Sequence, residues 1–189
     1  MRTLSKWEIA EIKAVFLYVV RQFGEVDYYK AFKAIYFAHR NHLAKYGLPL
    51  IPDTFCAFTD GPVPSFLYDE VKAAIKGGNQ TKHALLVNSI NSVCGKDSYV
   101  ISASELPDMD EISESVKELL DLSIEYCRPK TYKELRDESH DEAYLNVYQR
   151  GKSKPNPLDT VQIALAGGAS SEFAEHVREM VEFNTLASV

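Results

Sequence analysis

Two histidines three positions apart, His39 and His42, lie in a stretch rich in aromatic residues, and His140 is a third imidazole that could join them. Three positions is close to one helical turn, so a helix would present both rings to one ion, and a metal-dependent hydrolase is the chemistry such a set could perform. The stronger reading is a packed, hydrogen-bonded pair among aromatics, since no carboxylate falls in register with the rings. For nucleophilic catalysis the candidate pairing is Cys56 with His140. No G-x-S-x-G or cysteine-protease signature surrounds a serine or cysteine, so a buried thiol is the simpler reading. Gly167-Gly168-Ala169-Ser170-Ser171 precedes a helix and could cradle a phosphate through free amides. No lysine follows it and no strand precedes it, which makes it a helix-breaking connector. Asp108, Asp110, Glu111, Glu114 and Glu118 fall at helix starts and outer faces, where the helix dipole and solvent account for them. No assembled catalytic set emerges, no enzymatic activity is expected, and neither a metal nor a cofactor is required.

Such residues must be positioned by a fold, and 189 residues are enough to bury a core without disulfides or a structural metal. The 46% hydrophobic and 25% charged fractions are those of a soluble globular protein. The longest apolar run, 14–20, is far short of a membrane span, and the start lacks a secretion pattern because Glu8 and Glu11 interrupt it. The expectation is a cytoplasmic protein without membrane contact. Cys56, Cys94 and Cys127 are scattered and odd in number, as small core residues of a reducing compartment would be. A net charge of −6 argues against direct nucleic-acid binding, and the one basic cluster, Arg150, Lys152 and Lys154, reads as a solvated loop.

Along the chain, Ser5 and Glu8 have capping-box spacing and Gly24 supplies a stop, predicting a helix over 6–23. Its run 14–20 is apolar nearly all round, as in a central helix. Asp27 caps a second helix whose apolar positions 32, 35, 36, 39, 43 and 46 repeat at helical spacing until Gly47 and Pro49. A strand follows over 54–59, then a tight turn at Asp60-Gly61-Pro62, then a helix over 66–76 capped by Ser65 and stopped by Gly77-Gly78. A second strand at 98–102 could pair with the first. Asp108 and Glu111 predict a capping box for a helix with Met109, Ile112, Val116, Leu119, Leu120 and Ile124 on one face, ending at Arg128-Pro129. Thr131 and Glu134 predict another, for a short helix failing near Ser139-His140. Asn156 and Pro157 open a helix to about 166, and a last helix over 171–186 carries Phe173, Val177, Met180 and Val181 on one face. The expected fold is mainly α (α+β): one domain over 1–189, a bundle of six or seven helices with a small antiparallel β-sheet or hairpin.

The segments Lys33-Ala34-Ile35-Tyr36-Phe37-Ala38, His42-Leu43-Ala44-Lys45-Tyr46-Gly47-Leu48-Pro49-Leu50 and Gly61-Pro62-Val63-Pro64-Ser65-Phe66-Leu67-Tyr68 together resemble the Panacea domain, the SocA-like antitoxin family of bacteria and phages. Leu135 and Ser139-His140 resemble its downstream motif, but the tryptophan usual after that histidine is absent and Tyr144 is the nearest aromatic. The resemblance covers about 9–148, with the helices of 157–187 packed on it. It implies a helical domain that binds rather than catalyses: an antitoxin that neutralises a cognate protein toxin of a toxin-antitoxin system, encoded by an adjacent gene. The motif residues it marks as structural or partner-binding are Tyr36, His42, Tyr46, Gly47, Pro49, Gly61, Pro62, Val63, Tyr68 and His140. Many such proteins carry an extra DNA-binding domain, and none is expected here. The alternatives are a proteolytic adaptor that hands a partner to a protease, and the His-based hydrolase. The apolar excess of the first helix permits a homodimer.

Overall fold

A computed structural model describes residues 4–76, 84–93, 99–149 and 155–187. Helix α1 (Lys6–Phe23) begins where the Ser5 hydroxyl accepts the Glu8 amide while the Glu8 carboxylate accepts the Ser5 amide, and it ends at Gly24. Residues 14–20 are all buried, as an all-round apolar run requires. After strand β1 (Val26–Asp27), the Asp27 carboxylate accepts the Tyr29 amide and launches α2 (Tyr28–Tyr46). From Ala31 to His39 every residue of α2 is buried, so α2 is the rod around which the other elements pack.

Two small antiparallel sheets flank it. Strands β2 (Phe55–Phe58) and β3 (Gly61–Pro64) form a hairpin in which Phe58 faces Gly61 across the Thr59-Asp60 turn. The sequence led us to expect only a turn at 60–62; the structure extends it into a strand. Prolines 62 and 64 cannot donate to a ladder, which confines this strand to an edge. After α3 (Ser65–Ile75), strands β4 (Ile90–Ser92) and β5 (Val100–Ala103) complete a second sheet in the order β1-β5-β4. The expected pairing of β2 with the strand near 98–102 is thus replaced by two separate sheets, each local to its own helices.

The remaining helices are α4 (Glu114–Cys127), α5 (Tyr132–Ser139), α6 (Glu142–Leu145), α7 (Thr160–Ala166) and α8 (Ser171–Ala187). Eight described helices exceed the expected six or seven because α6 is a single turn that Asp141 caps. Helices α4, α5 and α7 lie against α2, as does the β2–β3 hairpin. Buried apolar residues from Ile12 to Val177 form one core cluster. Truncating a fully buried member such as Phe16, Phe32 or Ile35 to alanine would remove roughly 2–5 kcal/mol.

Three helix starts differ from expectation, each because a better partner lies elsewhere. Ser65 does not cap α3: it is the first helical residue, its amide donates to the Thr54 carbonyl, and the Asp53 carboxylate accepts the amides of Phe66 and Leu67. Asp108 begins only a 3-10 turn over Met109–Glu111, because Ile112 turns extended. Ser113 then caps α4, leaving Met109 exposed instead of on the buried stripe. Pro157 does not open a helix: it bridges Cys56, while the Ala57 amide donates to Asn156 O and the Leu158 amide to Phe55 O. That segment covers the free edge of β2, and Asp159 caps α7 instead. On α8, Val177 is buried but Val181 is exposed. Cys94, the Gly77-Gly78 stop and the basic cluster at 150–154 lie outside the described residues. Among the described residues no helix is long and apolar enough to cross a membrane.

Candidate functional site

At the C-terminal half of α2 the helical spacing turns two imidazoles inward. The His39 ring packs on Phe55 with centroids 4.6 Å apart, and burial lowers its pKa to about 3, so it is a neutral ring at physiological pH. His42 donates from Nδ1 to the Leu48 carbonyl at 2.8 Å, which leaves Nε2 to accept from the Ser115 hydroxyl at 3.4 Å. Burial lowers its pKa as well, against the carbonyl bond that favours the protonated form. Tyr46 covers the His42 ring at 4.9 Å. Gly47 closes the helix with φ 71°, its amide bonded to Leu43 O, and the side chains of Phe173 and Val177 lie against it. Pro49 is exposed just before the buried pair Leu50 and Ile51.

A polar knot forms halfway along α2, where β3, α5 and α6 meet the helix. Gly61 has φ 102°, a conformation that side chains rarely adopt, and a Cβ there would lie 2.5 Å from Lys33 Nζ and 2.6 Å from Ser139 Oγ. The absence of that Cβ lets the Lys33 ammonium reach the Pro62 carbonyl at 3.1 Å. Lys33 is only 2% exposed, and its burial lowers the pKa to about 7 despite the nearby charges of Asp60 and Asp141. One turn on, the Tyr36 hydroxyl donates to Asp141 at 2.8 Å and Arg40 Nη1 pairs with the same carboxylate at 3.1 Å. Asp141 also accepts the Tyr144 amide. Burial and then the Asp141 charge push the Tyr36 hydroxyl pKa well up, so it stays a donor.

His140 ends α5 and stacks on Tyr144 at 4.1 Å and 15°, and Tyr144 stacks in turn on Tyr148. Tyr144 is 1% exposed and donates its hydroxyl to Phe58 O at 2.9 Å, so it tethers α6 to the hairpin where the family's tryptophan was missed. Tyr68 lies on the other side of the hairpin, its ring 4.9 Å from Phe58 and 6.2 Å from Phe32. Val63 is fully buried.

The motif residues therefore divide between the helix end, with His42, Tyr46 and Gly47, and the knot, with Tyr36, Gly61, Pro62 and His140. His39, His42 and His140 do not form a metal-holding group: among the described residues no three His, Cys, Asp or Glu side chains are so placed. Burial raises the Cys56 pKa, and its hydrogen-bonding neighbour is Ser65, so the thiol is neither ionised nor paired with a base. Gly167 brings α7 against α2: a Cβ there would lie 2.2 Å from the Arg40 carbonyl, which makes the Gly-Gly connector a point of close packing. Lys33, Arg40 and Asp141 escaped the sequence reading. The signal that could have found the first two is their spacing with Tyr36, three and four positions apart and so on one side of the helix.

A family model described as antitoxin SocA-like, Panacea domain, matches residues 32–144. That span is more than half of the chain and contains both the helix-end residues and the knot, while α1, α7 and α8 lie outside it. No curated protein and no solved structure matches the chain.

Proposed function

The chain belongs to the SocA-like antitoxin family, and from that premise we propose that it neutralises a cognate protein toxin, encoded by an adjacent gene, by binding it directly in the cytoplasm. The family match carries this reading. Its motif residues Tyr36, Pro62 and His42 are held by neighbours within the fold, through the Tyr36–Asp141, Lys33–Pro62 and His42–Leu48 contacts, as a framework is rather than as a catalytic set. Neutralisation then comes from coverage of the partner and not from chemistry. Charge supports a basic partner: net −6 overall, with exposed Glu114, Glu118 and Glu125 on α4 and Glu172, Glu175, Glu179 and Glu182 on α8. Opposite charge accelerates encounter and disfavours wrong partners. Deleting this gene alone should arrest growth, whereas deleting it together with its neighbour should be harmless. Equal viability of the two deletions would overturn the proposal.

A further inference from the structure

The end of α1, strand β1, the first turns of α2 and the start of α5 enclose a cleft of about 490 Å³. Four cations line it, Lys30, Lys33, Arg128 and Lys130, against two carboxylates, Glu25 and Asp27, in a chain that is acidic overall. Tyr29 and Tyr132 also line it and meet edge to face, their rings at 85° with centroids 6.5 Å apart. The volume falls within the roughly 300–1,000 Å³ of small-molecule sites.

The four cations are unequally neutralised. Lys130 pairs with Glu138 at 2.6 Å and Arg128 with Glu125 at 3.1 Å. Lys30 and Lys33, one turn apart on α2, make no ion pair among the described residues: each ammonium donates to a carbonyl, of Arg128 at 3.0 Å and of Pro62 at 3.1 Å. A carbonyl takes one of the three donors of an ammonium and supplies no countercharge. Lys33 is almost wholly removed from solvent in this state, and burial has lowered its pKa to about 7. A bound anion would pair with Lys30 and bring countercharge close to Lys33.

We propose that this cleft binds a nucleoside monophosphate, with the phosphate against Lys30 and within the field of the buried Lys33, the base against Tyr29 and Tyr132, and the sugar hydroxyls donating to Glu25 or Asp27. Each part of the lining answers one part of that ligand. Paired cations suit a phosphate, aromatic faces hold a base of any sequence, and carboxylates accept hydroxyl donors. A bare oxyanion would leave the tyrosines and carboxylates unused, and an uncharged nucleoside would leave the two lysines unmatched. This site is separate from toxin neutralisation, so its test does not depend on that reading.

The test is titration of the full chain by calorimetry with adenosine monophosphate, adenosine and inorganic phosphate. The monophosphate should bind at least roughly tenfold more tightly than either fragment, because the two halves of the site act on one molecule. Lys30→Gln and Tyr132→Ala, both altering side chains at the cleft edge, should each weaken it roughly tenfold while leaving the unfolding temperature in place. Stacking should also shift the base protons of the ligand upfield in NMR spectra of the parent and not of Tyr132→Ala. Should Tyr132→Ala unfold, Lys30→Gln and the fragment series carry the test. Binding of adenosine as tight as that of the monophosphate, unchanged affinity in Lys30→Gln, or no binding of any of the three at millimolar concentration would each overturn the proposal.

Discussion

The two halves of α2 bury polar side chains in opposite ways. Towards Tyr46, His39 and His42 enter the core as neutral rings, because an imidazole can release its proton near neutral pH and then be buried as an aromatic. Towards Tyr28, the amino groups of Lys30 and Lys33 donate to carbonyls, and Lys33 is buried without an ion pair among the described residues. Between them Tyr36 and Arg40 converge on Asp141, which supplies the charge that Lys33 lacks at contact distance. Burial of a titratable group is thus common to all three places and marks function at none by itself. What separates them is whether the charge has been removed, matched or left for something else to match, and only the lysine end opens on a cleft.

The largest expected effect comes from forcing the lysine end out of its arrangement. In Gly61→Ala the new methyl must displace Lys33 Nζ and Ser139 Oγ and must accept φ 102°. Strain of that backbone together with overpacking should cost roughly 2–4 kcal/mol in urea unfolding, and Gly61→Val more. A Gly61→Ala protein as stable as its parent would mean that the ammonium moves freely, and the contrast between the two halves would fall. A Gly61 variant that folds stably yet fails in the proposed neutralisation would move the turn from the framework to the contact surface.

Local signals carried through to the structure at two capping boxes and failed at a third, where Asp108 opens only a 3-10 turn, while meetings between distant residues left no signal at all. The capping boxes at Ser5 and Thr131 join residues three apart, so their spacing alone predicts α1 and α5, and both are formed. The family motifs were legible for the same reason, as short runs around Gly47 and Gly61. Asp53 caps α3 from 13 and 14 positions away, and Asp141 meets Tyr36 from 105 positions away. No local pattern encodes either meeting. The histidines show the converse: their positions were evident, but whether the rings would face an ion or Phe55 and Leu48 is decided by elements that follow later in the chain. Strand β3 was hidden because two prolines in four residues read as punctuation unless the strand is known to lie at an edge.

A smaller effect tests the histidine end. The folded-state pKa of His39 is lowered to about 3 while the unfolded chain keeps the ordinary value of 6.5. Between those limits the unfolded state binds a proton that the folded state refuses, so stability is present above 6.5 and is lost as the pH falls. Acid destabilisation should begin well above the carboxylate range and reach roughly 2 kcal/mol by about pH 5 from this ring alone. His39→Phe keeps a ring against Phe55 and should flatten that limb, leaving the smaller dependence due to His42. If the parent and His39→Phe lose stability in parallel from pH 7 downward, the ring is charged in the fold and the two halves of α2 are alike.

The smallest effect is at Lys33, and its sign is opposite. Burial lowers its folded-state pKa to about 7, while the unfolded chain holds the proton until near 10.5. Above 7 the unfolded state therefore binds more protons, and stability should rise with pH as the buried ammonium loses its charge. The groups that bear on it are Asp60 on the hairpin turn, Arg136 on α5, and His140 and Asp141 at the α5–α6 junction. The two carboxylates favour the charged form but do not offset its desolvation. The expected gain is roughly 1 kcal/mol between about pH 7 and 8, and Lys33→Met, which keeps a long side chain without the ammonium, should abolish it. Phosphate or a nucleoside monophosphate bound beside the ammonium should do the same in the parent, because an anion restores the charged form and flattens the rise. A stability curve that is level over this interval in both the parent and Lys33→Met would show that Lys33 is already matched, and the cleft would then lose the unneutralised charge on which its ligand depends.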